Sequence, residues 1–303
     1  MISVYNFSQS KSINYPSLNN INLCLGFFDG MHLGHQYLIK ESLKDNKNTY
    51  VLTFSGFLKA DINSSYQKEV LTSIEDRIEI LDKLNVKGLF IIPFTKEIKE
   101  LSPKDFIKIY LKPLNIKKIY VGKDFTFGKN GQGKVDDLKK EFDVKVVDFL
   151  QNNSKKISAK NIISLLKEGE ITKANQLLGR NYAIKGEVIH GLQNGRKIDF
   201  PTANIEPLVS YVIPKDGVYA TKITINKHTY LSMTNIGTHP TIDELIKPSI
   251  ETNIFNFHEN IYHYKVKLEF LYKVREQIKF ENLDKLKSQL ILDKLAIIKN
   301  QTN

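Results

Sequence analysis

The stretch "GFFDGMHLGHQ", Gly26–Gln36, decides the fold of the first half of this chain. The apolar run "INLCL" precedes it and indicates a buried strand, and the helical pattern "HQYLIKESLKDN" overlaps its end. A strand that enters a helix through a glycine-rich turn predicts a phosphate site, because the N–H groups at the helix start and the helix dipole favour an anion. His32 and His35 can donate to phosphate oxygens, and Asp29 can bind a cation or a nucleotide hydroxyl.

Other interpretations of this turn stay open. Two histidines three residues apart could bind zinc, although the chain has one cysteine and no third ligand nearby. A surface turn with two histidines is the structural alternative, and the glycines lack the GxGxxG spacing of a dinucleotide-binding turn. A second run, "GKNGQGKV" at residues 128–135, matches part of a P-loop. Val135 replaces the Ser or Thr that holds Mg²⁺ there, so we interpret the run as a flexible loop.

The composition limits the class of protein. A length of 303 residues predicts two domains, and an apolar content of 41% is enough for each to bury a core. No apolar run reaches the roughly 18–20 residues of a membrane span, and the N-terminus lacks the pattern of a secretory signal. The single cysteine, Cys24, excludes an internal disulfide and is typical of a reducing compartment. These features predict a cytoplasmic chain with no membrane partner.

The net charge of +11 has two interpretations. The lysines are spread along the whole chain, which favours a general compositional bias over a basic binding face. Binding of anionic, phosphorylated ligands is the functional alternative. A nucleic-acid-binding protein would need clustered lysines with exposed aromatic residues, so the sequence predicts no nucleic-acid partner.

Strand and helix signals alternate through the first half. Further strands are predicted in "TYVLTF", "VKGLFIIPF", "IKKIYVG" and "VKVVDFL". Between them, "TSIEDRIEILDKLN" predicts a helix capped by Thr72 with Glu75 as its capping-box partner, and Ser102 with Pro103 begins another. This alternation predicts an α/β fold with a doubly wound parallel sheet, whose ligands lie outside the carboxyl ends of the strands.

The pattern changes in the second half. "SAKNIISLLKEGEITKANQLLG" predicts two short helices broken at Gly169. Short strand candidates from "YAIKGEVIH" to "YKVKLEFLY", with a hairpin turn at Asn194–Gly195, predict a small barrel or sandwich. "NLDKLKSQLILDKLAIIK" predicts a final helix. The predicted domains are therefore residues 1–179 and 180–303.

A second constellation lies in "GRKIDFPTAN", Gly195–Asn204. Thr202 and Asn204 are two residues apart on an extended segment, so their side chains point to the same side. A hydroxyl and an amide oxygen are suitable ligands for a Mg²⁺ ion that bridges ATP phosphates. A turn around Pro201 is the structural alternative.

Both constellations resemble one family. "GFFDGMHLGH" resembles the G-x-F-D-G-x-H-x-G-H signature of the adenylyltransferase module in bacterial bifunctional riboflavin kinase/FAD synthetases, a module similar to the nucleotidyltransferase superfamily. "VLTF", "LTSIEDRIEIL", "IPFTKEIKELSPKDF" and "YVGKDFTFGKNGQG" resemble its later segments. "YAIKGEVIHG", "GRKIDFPTANI", "IETNIFNF" and "LYKVREQIKF" resemble the riboflavin kinase module, over residues 180–293. Class I tRNA synthetases share the His-x-Gly-His turn, but this sequence lacks their Lys-Met-Ser-Lys-Ser-like loop.

The resemblance implies a bifunctional enzyme with a nucleotidyltransferase-like domain followed by a riboflavin kinase β-barrel. The kinase converts riboflavin and ATP into FMN, and the adenylyltransferase converts FMN and ATP into FAD and pyrophosphate. Mg²⁺ accompanies ATP, and no tightly bound metal is implied. In the second reaction the FMN phosphate attacks the α-phosphate of ATP without a covalent enzyme intermediate. A monofunctional riboflavin kinase with a vestigial nucleotidyltransferase domain is the alternative.

The resemblance also implies roles for individual residues. Glu251 would take the proton from the riboflavin 5′-hydroxyl, and His32 and His35 would polarise the ATP phosphates. The metal ligands implied are Thr202 and Asn204. The nucleotide-binding residues implied are Gly26, Phe28, Asp29, Gly30, Gly34, Gly186, Gly191, Gly195 and Arg196. The flavin-binding residues implied are Gly122, Asp124, Phe125, Phe127, Gly128 and Arg275. Core packing is the alternative for the phenylalanines, and a solvated side chain for the glutamate.

The sequence departs from the family pattern at three places. "SGFLKA" stands where a Pro-His-Pro run is usual, and Asp199 replaces a glycine ahead of Phe-Pro-Thr-Ala-Asn. The Ser-Ser-Thr-Arg-Ile-Arg run of the family is replaced by residues 158–163, "SAKNII", which lack both arginines. We expect nearby lysines to replace part of that charge, and FAD synthesis to be slower than FMN synthesis. These lysines are Lys129, Lys134, Lys155, Lys156 and Lys160.

Overall fold

The computed structural model describes residues 2–7, 18–56, 69–148, 150–152, 155–191, 200–238 and 248–302. The chain divides into two compact units, Met1–Ala159 and Lys160–Asn303. This division follows a change in packing, whereas the predicted boundary at residue 179 follows the change from helices to strands. The hairpin turn predicted at Asn194–Gly195 lies outside the described residues.

A parallel sheet forms the centre of the first unit. Its six strands are β1 (Ser3–Asn6), β2 (Ile21–Leu25), β3 (Thr49–Ser55), β4 (Gly88–Pro93), β5 (Ile116–Gly122) and β6 (Val144–Val147). They lie in the order β1-β4-β3-β2-β5-β6, and every pair is parallel, which confirms the predicted sheet. The sequence does not predict β1, because four residues carry too little periodicity and their pairing with β4 is a tertiary interaction.

Helices connect the strands of this sheet. Those within the described residues are α1 (Leu33–Asp45), α2 (Ile74–Lys83), α3 (Lys96–Glu100), α4 (Pro103–Phe106) and α5 (Val135–Lys139). Helix α4 continues into one π-helical turn over Ile107–Leu111. A small antiparallel ribbon, β7 (Gln151–Asn152) and β8 (Lys155–Lys156), follows the sheet.

Hydrophobic side chains pack on both faces of the sheet, because side chains alternate along each strand. In β2, Leu23 and Leu25 enter one core with Phe90, and Cys24 enters the other core with Val51. Cys24 is fully buried, and burial raises the pKa of its thiol to about 12. The unbroken apolar run of β2 is therefore explained by burial on both faces.

The N-cap of α2 corrects a sequence prediction by one residue. Ser73 Oγ accepts from the backbone N–H of Asp76 at 3.1 Å, and Asp76 Oδ2 accepts from the backbone N–H of Ser73 at 2.9 Å. The cap is therefore Ser73 with Asp76, and the predicted pair of Thr72 with Glu75 is wrong. The Thr72 hydroxyl instead accepts from another part of the chain, the backbone N–H of Gly30, at 2.9 Å.

The "GKNGQGKV" run is a closed turn and not a P-loop. Phe127 and Gly133 exchange two backbone hydrogen bonds across it, of 3.1 and 2.9 Å. The helix that follows, α5, has only five residues. A hydrogen-bonded turn therefore stands where the sequence predicts a flexible loop.

Arg77 on α2 connects three segments at the carboxyl ends of the strands. Its side chain is 4% exposed, and Nη1 donates to the carbonyl oxygens of Phe27 at 2.9 Å and Phe54 at 3.2 Å. Nε donates to Thr72 Oγ1 at 3.3 Å, and Nη2 lies 3.6 Å from Asp29 Oδ1. The guanidinium thus ties the turn after β2 to the end of β3 and to the start of α2.

A closed antiparallel barrel forms most of the second unit. Its strands are β9 (Tyr182–Ile189), β10 (Ala203–Pro207), β11 (Gly217–Ile225), β12 (His228–Thr238), β13 (Pro248–Ile254) and β14 (Lys265–Arg275). The barrel order is β10-β13-β12-β11-β14-β9. The helices are α6 (Ala159–Glu168), α7 (Ile171–Leu178) and α8 (Leu283–Thr302). The structure therefore selects the barrel over the sandwich, and the final helix is confirmed.

Hydroxyl groups form a hydrogen-bonded ladder inside the barrel. Thr221 Oγ1 lies 2.8 Å from both Ser232 Oγ and Thr234 Oγ1, and Thr234 Oγ1 lies 2.9 Å from Thr252 Oγ1. All four side chains are fully buried. Since each hydroxyl finds a partner, burial of these polar groups is compensated, and the ladder helps to fix the register of β11, β12 and β13.

Strands β9 and β10 approach each other closely at Gly186, which lies opposite Pro207. A Cβ atom at position 186 would lie 2.8 Å from the carbonyl oxygen of Glu206 and would overlap Ile205. Only glycine fits this crossing without movement of a strand. The role of Gly186 seen here is to close the barrel.

Gly186→Ala should destabilise the barrel by about 1–3 kcal/mol, because the added methyl group has to push β10 away. Hydrogen–deuterium exchange measured by mass spectrometry should be faster in peptides from β9 and β10. Peptides from β2 and β3 should exchange as in the parent and serve as the internal control. Unchanged exchange in β9 and β10 would contradict the packing at this position.

Arg77→Met should lower the free energy of unfolding by about 3–5 kcal/mol, because it leaves the Asp29 carboxylate and three carbonyl oxygens without their buried partner. Urea titration followed by circular dichroism measures this loss. Lys118→Met is the matched control, since it breaks the more exposed pair with Asp143, of 3.3 Å. The control should cost about 0–1 kcal/mol. Equal losses in the two variants would show that the Arg77 network does not stabilise the unit.

Candidate active sites

A cavity of about 380 Å³ opens at the carboxyl ends of the parallel strands. Residues at the ends of four strands contribute to its lining: Leu25, Phe54, Gly122 and Val147. Most residues predicted for the first domain also line it, and they are Gly26, Phe28, Asp29, His32, Gly34, His35, Gly122, Asp124 and Phe125. Gly30, Phe127 and Gly128 are not among the lining residues. The first predicted constellation is therefore largely brought together.

His32 is the N-cap of α1 and faces this cavity. Its Nδ1 accepts from the backbone N–H of His35 at 3.3 Å, and the two imidazole rings stack with centroids 3.6 Å apart. Because Nδ1 accepts a hydrogen bond, the proton of the neutral ring resides on Nε2. His32 can then cap the helix with one nitrogen and donate to a ligand with the other.

His35 forms the other half of this stack and is partly buried. Burial, and next the neighbouring charges of His32, Arg77 and Lys156, lower the pKa of His35 well below its ordinary value. The ring is therefore neutral at pH 7. No hydrogen-bond partner for His35 Nδ1 exists among the described residues. The neutral His35 ring can hydrogen-bond a phosphate oxygen but cannot supply its counter-charge.

Residues on the core side of the turn fix its conformation between β2 and the two histidines. Phe28 has φ of 51°, and its ring is only 1% exposed, so it enters the core and meets the His35 ring edge-on at 5.1 Å. Gly30 has φ of 74°, in the left-handed region that favours glycine. Both Asp29 oxygens accept backbone hydrogen bonds from Leu71, of 3.1 and 3.2 Å. The Asp29 carboxylate is thus used within the fold.

Lys156 supplies a positive charge to the cavity. It lines the cavity with Ser158, and its ammonium group forms an ion pair with Asp124. Among the other lysines expected to replace the missing arginines, Lys129 pairs with Glu100 at 2.7 Å, and Lys134 donates to a backbone carbonyl. The side chain of Lys155 lies outside the described residues, and Lys160 is exposed.

The two phenylalanines predicted on the flavin side differ in burial. Phe125 is half-buried and lines the cavity, whereas Phe127 is 5% exposed and packs against Phe106 at 5.5 Å in the core. Two aromatic residues that sequence reasoning misses, Phe27 and Phe54, also line the cavity. The sequence does not single out Phe27, because it stands beside another phenylalanine in an apolar stretch.

The second constellation meets on β10 and β13 of the barrel. Asn204 lies opposite Glu251 in the antiparallel register, and Thr202 Oγ1 donates to Glu251 Oε2 at 3.5 Å. Gly191 lies against the Asn204 carboxamide. Gly186 pairs further along β9. Gly195 and Arg196 lie outside the described residues.

Two cavities flank this constellation, and Thr202 lines both. One, of about 320 Å³, is lined by Pro201, Thr252 and the segment 257–262. The other, of about 370 Å³, holds Glu251 at its edge. Apolar residues form much of its wall, and they include Phe200, Met233, Phe280, Leu286 and Leu290. This arrangement suits two ligands whose reacting groups meet beside Thr202.

Arg275 lies at the wall of the more apolar cavity. Its Nε and Nη2 atoms each lie 2.9 Å from Asp293 Oδ2 on α8, and its guanidinium stands 5.8 Å from the ring centroid of Phe280. Asp293 is buried, so this pair fixes α8 against the end of β14. Arg275 can therefore shape the cavity without direct contact to a ligand.

The hydroxyl, carboxamide and carboxylate oxygens of Thr202, Asn204 and Glu251 are hard donors of the kind Mg²⁺ prefers. Among the described residues, no three His, Cys, Asp or Glu side chains converge to bind a metal on their own. Within the same residues, no helix has the length and apolar character needed to cross a membrane.

Comparison with known proteins matches each half of the chain to a protein family. The family model described as FAD synthetase matches residues 15–161, and the model described as riboflavin kinase matches residues 178–300. A crystal structure described as a macrolide-efflux protein from Streptococcus pneumoniae has a TM-score of 0.88 at 29% identity, and covers 98% of this chain and 99% of that chain. The efflux name describes the Streptococcus protein only. The similarity to this chain is one of fold, and it covers nearly all of both chains.

Curated relatives match over nearly their full length. The bifunctional riboflavin kinase/FMN adenylyltransferase of Listeria monocytogenes is 39% identical, over 97% of this chain and 96% of the relative. The Bacillus subtilis protein of the same name is 37% identical, over 93% and 92%. The Escherichia coli K12 protein is 30% identical, over 90% of each. Two family models in sequence along the chain, and relatives of this name that match over nearly their full length, show that this chain belongs to the bifunctional riboflavin kinase/FMN adenylyltransferase family.

Proposed function

We propose that this chain phosphorylates riboflavin with ATP in its second unit and transfers AMP from ATP to FMN in its first unit. The observation that carries the proposal is that each unit has its own cavity with a matching set of polar groups. Thr202 lines both cavities of the barrel and Glu251 lines one of them, and His32 and His35 stand at the start of α1 in the first unit. The FAD synthetase match over residues 15–161 favours this reading over a kinase with a vestigial first domain.

In the kinase reaction, the apolar cavity is the place for the flavin ring and the neighbouring cavity is the place for ATP. Glu251 would take the proton of the 5′-hydroxyl as that oxygen attacks the γ-phosphorus, and ADP would leave. Thr202 and Asn204 would hold the Mg²⁺ that accompanies ATP, which supplies charge neutralisation at the phosphates. The 3.5 Å contact between Thr202 and Glu251 keeps the proposed metal ligand and the proposed base close together.

In the adenylyl transfer, an FMN phosphate oxygen would attack the α-phosphorus of ATP, and pyrophosphate would leave. His32 would donate from Nε2, and backbone N–H groups at the start of α1 would add further donors. Since the His35 ring is neutral, Lys156 would supply positive charge to this cavity. It would exchange Asp124 for a phosphate oxygen. A single ammonium group replaces two guanidinium forks, which is why we expect FAD synthesis to be slower than FMN synthesis.

Incubation of the full chain with riboflavin, ATP and Mg²⁺, followed by chromatography of the flavins, tests the proposal. FMN should appear first and FAD later. FMN without FAD, even at high enzyme and ATP concentrations, would support the monofunctional alternative. The absence of both FMN and FAD would overturn the proposal as a whole.

Glu251→Gln should lower the rate of riboflavin phosphorylation about 10²-fold or more, because the amide cannot accept the proton. FAD formation from supplied FMN should be unchanged, since that site lies in the other unit. Glu206→Gln, an exposed glutamate on β10, is the matched control and should phosphorylate riboflavin like the parent. An unchanged kinase rate in Glu251→Gln would remove this carboxylate from the mechanism.

The double variant His32→Asn with His35→Gln should lower FAD formation about 10²-fold or more, because donors to the phosphates are lost. Asparagine at position 32 keeps a good N-cap, so the helix start should survive. Flavin chromatography measures the effect, and FMN formation in the same sample reports on folding of the chain. His228→Asn, at the start of β12, is the control. FAD formation at the parent rate would exclude the histidines as phosphate ligands.

A further inference from the structure

Phe27 places an exposed aromatic ring at the cavity of the first unit. The side chain is 41% exposed, whereas its neighbour Phe28 is 1% exposed. The Phe27 ring lies 4.9 Å from the ring of Phe54 and 5.5 Å from the ring of Phe94, and those two rings are 5.6 Å apart. We name Phe27, Phe54 and Phe94 the aromatic corner. Phe27 and Phe54 of this corner line the cavity.

The backbone holds the Phe27 ring in this position. Its carbonyl oxygen accepts from Thr53 Oγ1 at 2.7 Å and from Arg77 Nη1 at 2.9 Å. The next residue, Phe28, has a left-handed φ of 51° and directs its ring into the core. Phe27 therefore keeps an apolar surface in water, although exposure of such a ring is unfavourable. A preformed, partly exposed ring of this kind is suited to contact a ligand.

The same cavity has lining residues suited to a phosphate and lining residues that are aromatic. His32, Gly34, His35 and Lys156 are of the first kind, and Phe27, Phe54 and Phe125 are of the second. A ligand that matches both kinds carries a large apolar ring system and a phosphate. The isoalloxazine of FMN has an apolar dimethylbenzene edge, whereas an adenine ring has polar edges that would need hydrogen-bond partners among the aromatic residues.

We propose that Phe27 stacks against the isoalloxazine ring of FMN and sets the affinity of the first unit for FMN. This inference rests on the proposed adenylyltransferase function and adds to it the residue that selects the acceptor. Phe54 and Phe94 support the ring from the side that faces the protein, because both contact it at aromatic packing distances. The remaining exposed surface is the part available to the flavin.

Steady-state kinetics of FAD formation from supplied FMN tests this role. Phe27→Leu should raise the KM for FMN about tenfold, the scale of an aromatic pair with its buried area, and leave the KM for ATP and kcat within about twofold. Phe27→Tyr keeps the ring and should restore the parent KM. Tyr264→Leu removes an equally exposed ring, 41%, from the second unit and should change neither constant.

A second measurement keeps the proposal testable if the parent forms no FAD, an outcome that would overturn the adenylyltransferase function itself. FMN fluorescence is quenched when the flavin stacks on an aromatic ring, so FMN titration should show less quenching with Phe27→Leu than with the parent. Any FMN bound by the barrel contributes equally to both proteins. A raised KM for ATP with an unchanged KM for FMN, or unchanged constants and quenching, would overturn the role of Phe27.

Discussion

The buried guanidinium of Arg77 is the interaction on which the first unit depends. It joins segments that are far apart in sequence: the turn after β2, the end of β3 and the start of α2. Asp29 balances its charge, and the carbonyl groups that it binds belong to residues at the cavity wall. Burial of a charge costs desolvation free energy unless its donors are hydrogen-bonded. The hydrogen bonds of Arg77 offset that cost, and they also fix the turn before a ligand binds.

The sheet and the barrel could be predicted because their periodicity is local. Alternating elements predict the parallel sheet, and short strands between turn residues predict a small barrel or sandwich, of which the structure has the barrel. The cap of α2 could not be predicted to the residue, since Thr72 and Ser73 are both good caps followed by an acid three residues later. The choice is made by Gly30, which takes the Thr72 hydroxyl from 42 residues away.

The candidate sites show the same limit. Motif residues such as Thr202 and Glu251 could be selected from the sequence, but their contact depends on pairing between strands whose residues are 49 positions apart. Asp29 is suited to a ligand by its residue type, yet the fold uses its oxygens for the backbone of Leu71. Phe27 and Phe28 are equivalent in the sequence, and only the left-handed backbone at Phe28 separates an exposed ring from a buried one.

The burial of Cys24 has a practical consequence for this chain. The sequence contains one cysteine, and it lies in β2 between β3 and β5, at the middle of the sheet. The thiolate is the nucleophile that reacts with alkylating reagents and disulfide probes, and a pKa of about 12 leaves almost none of it at neutral pH. The native protein thus offers no thiol background, and labelling of Cys24 has to wait until β2 opens. The rate of labelling therefore measures the opening of the first unit, because the barrel contains no cysteine.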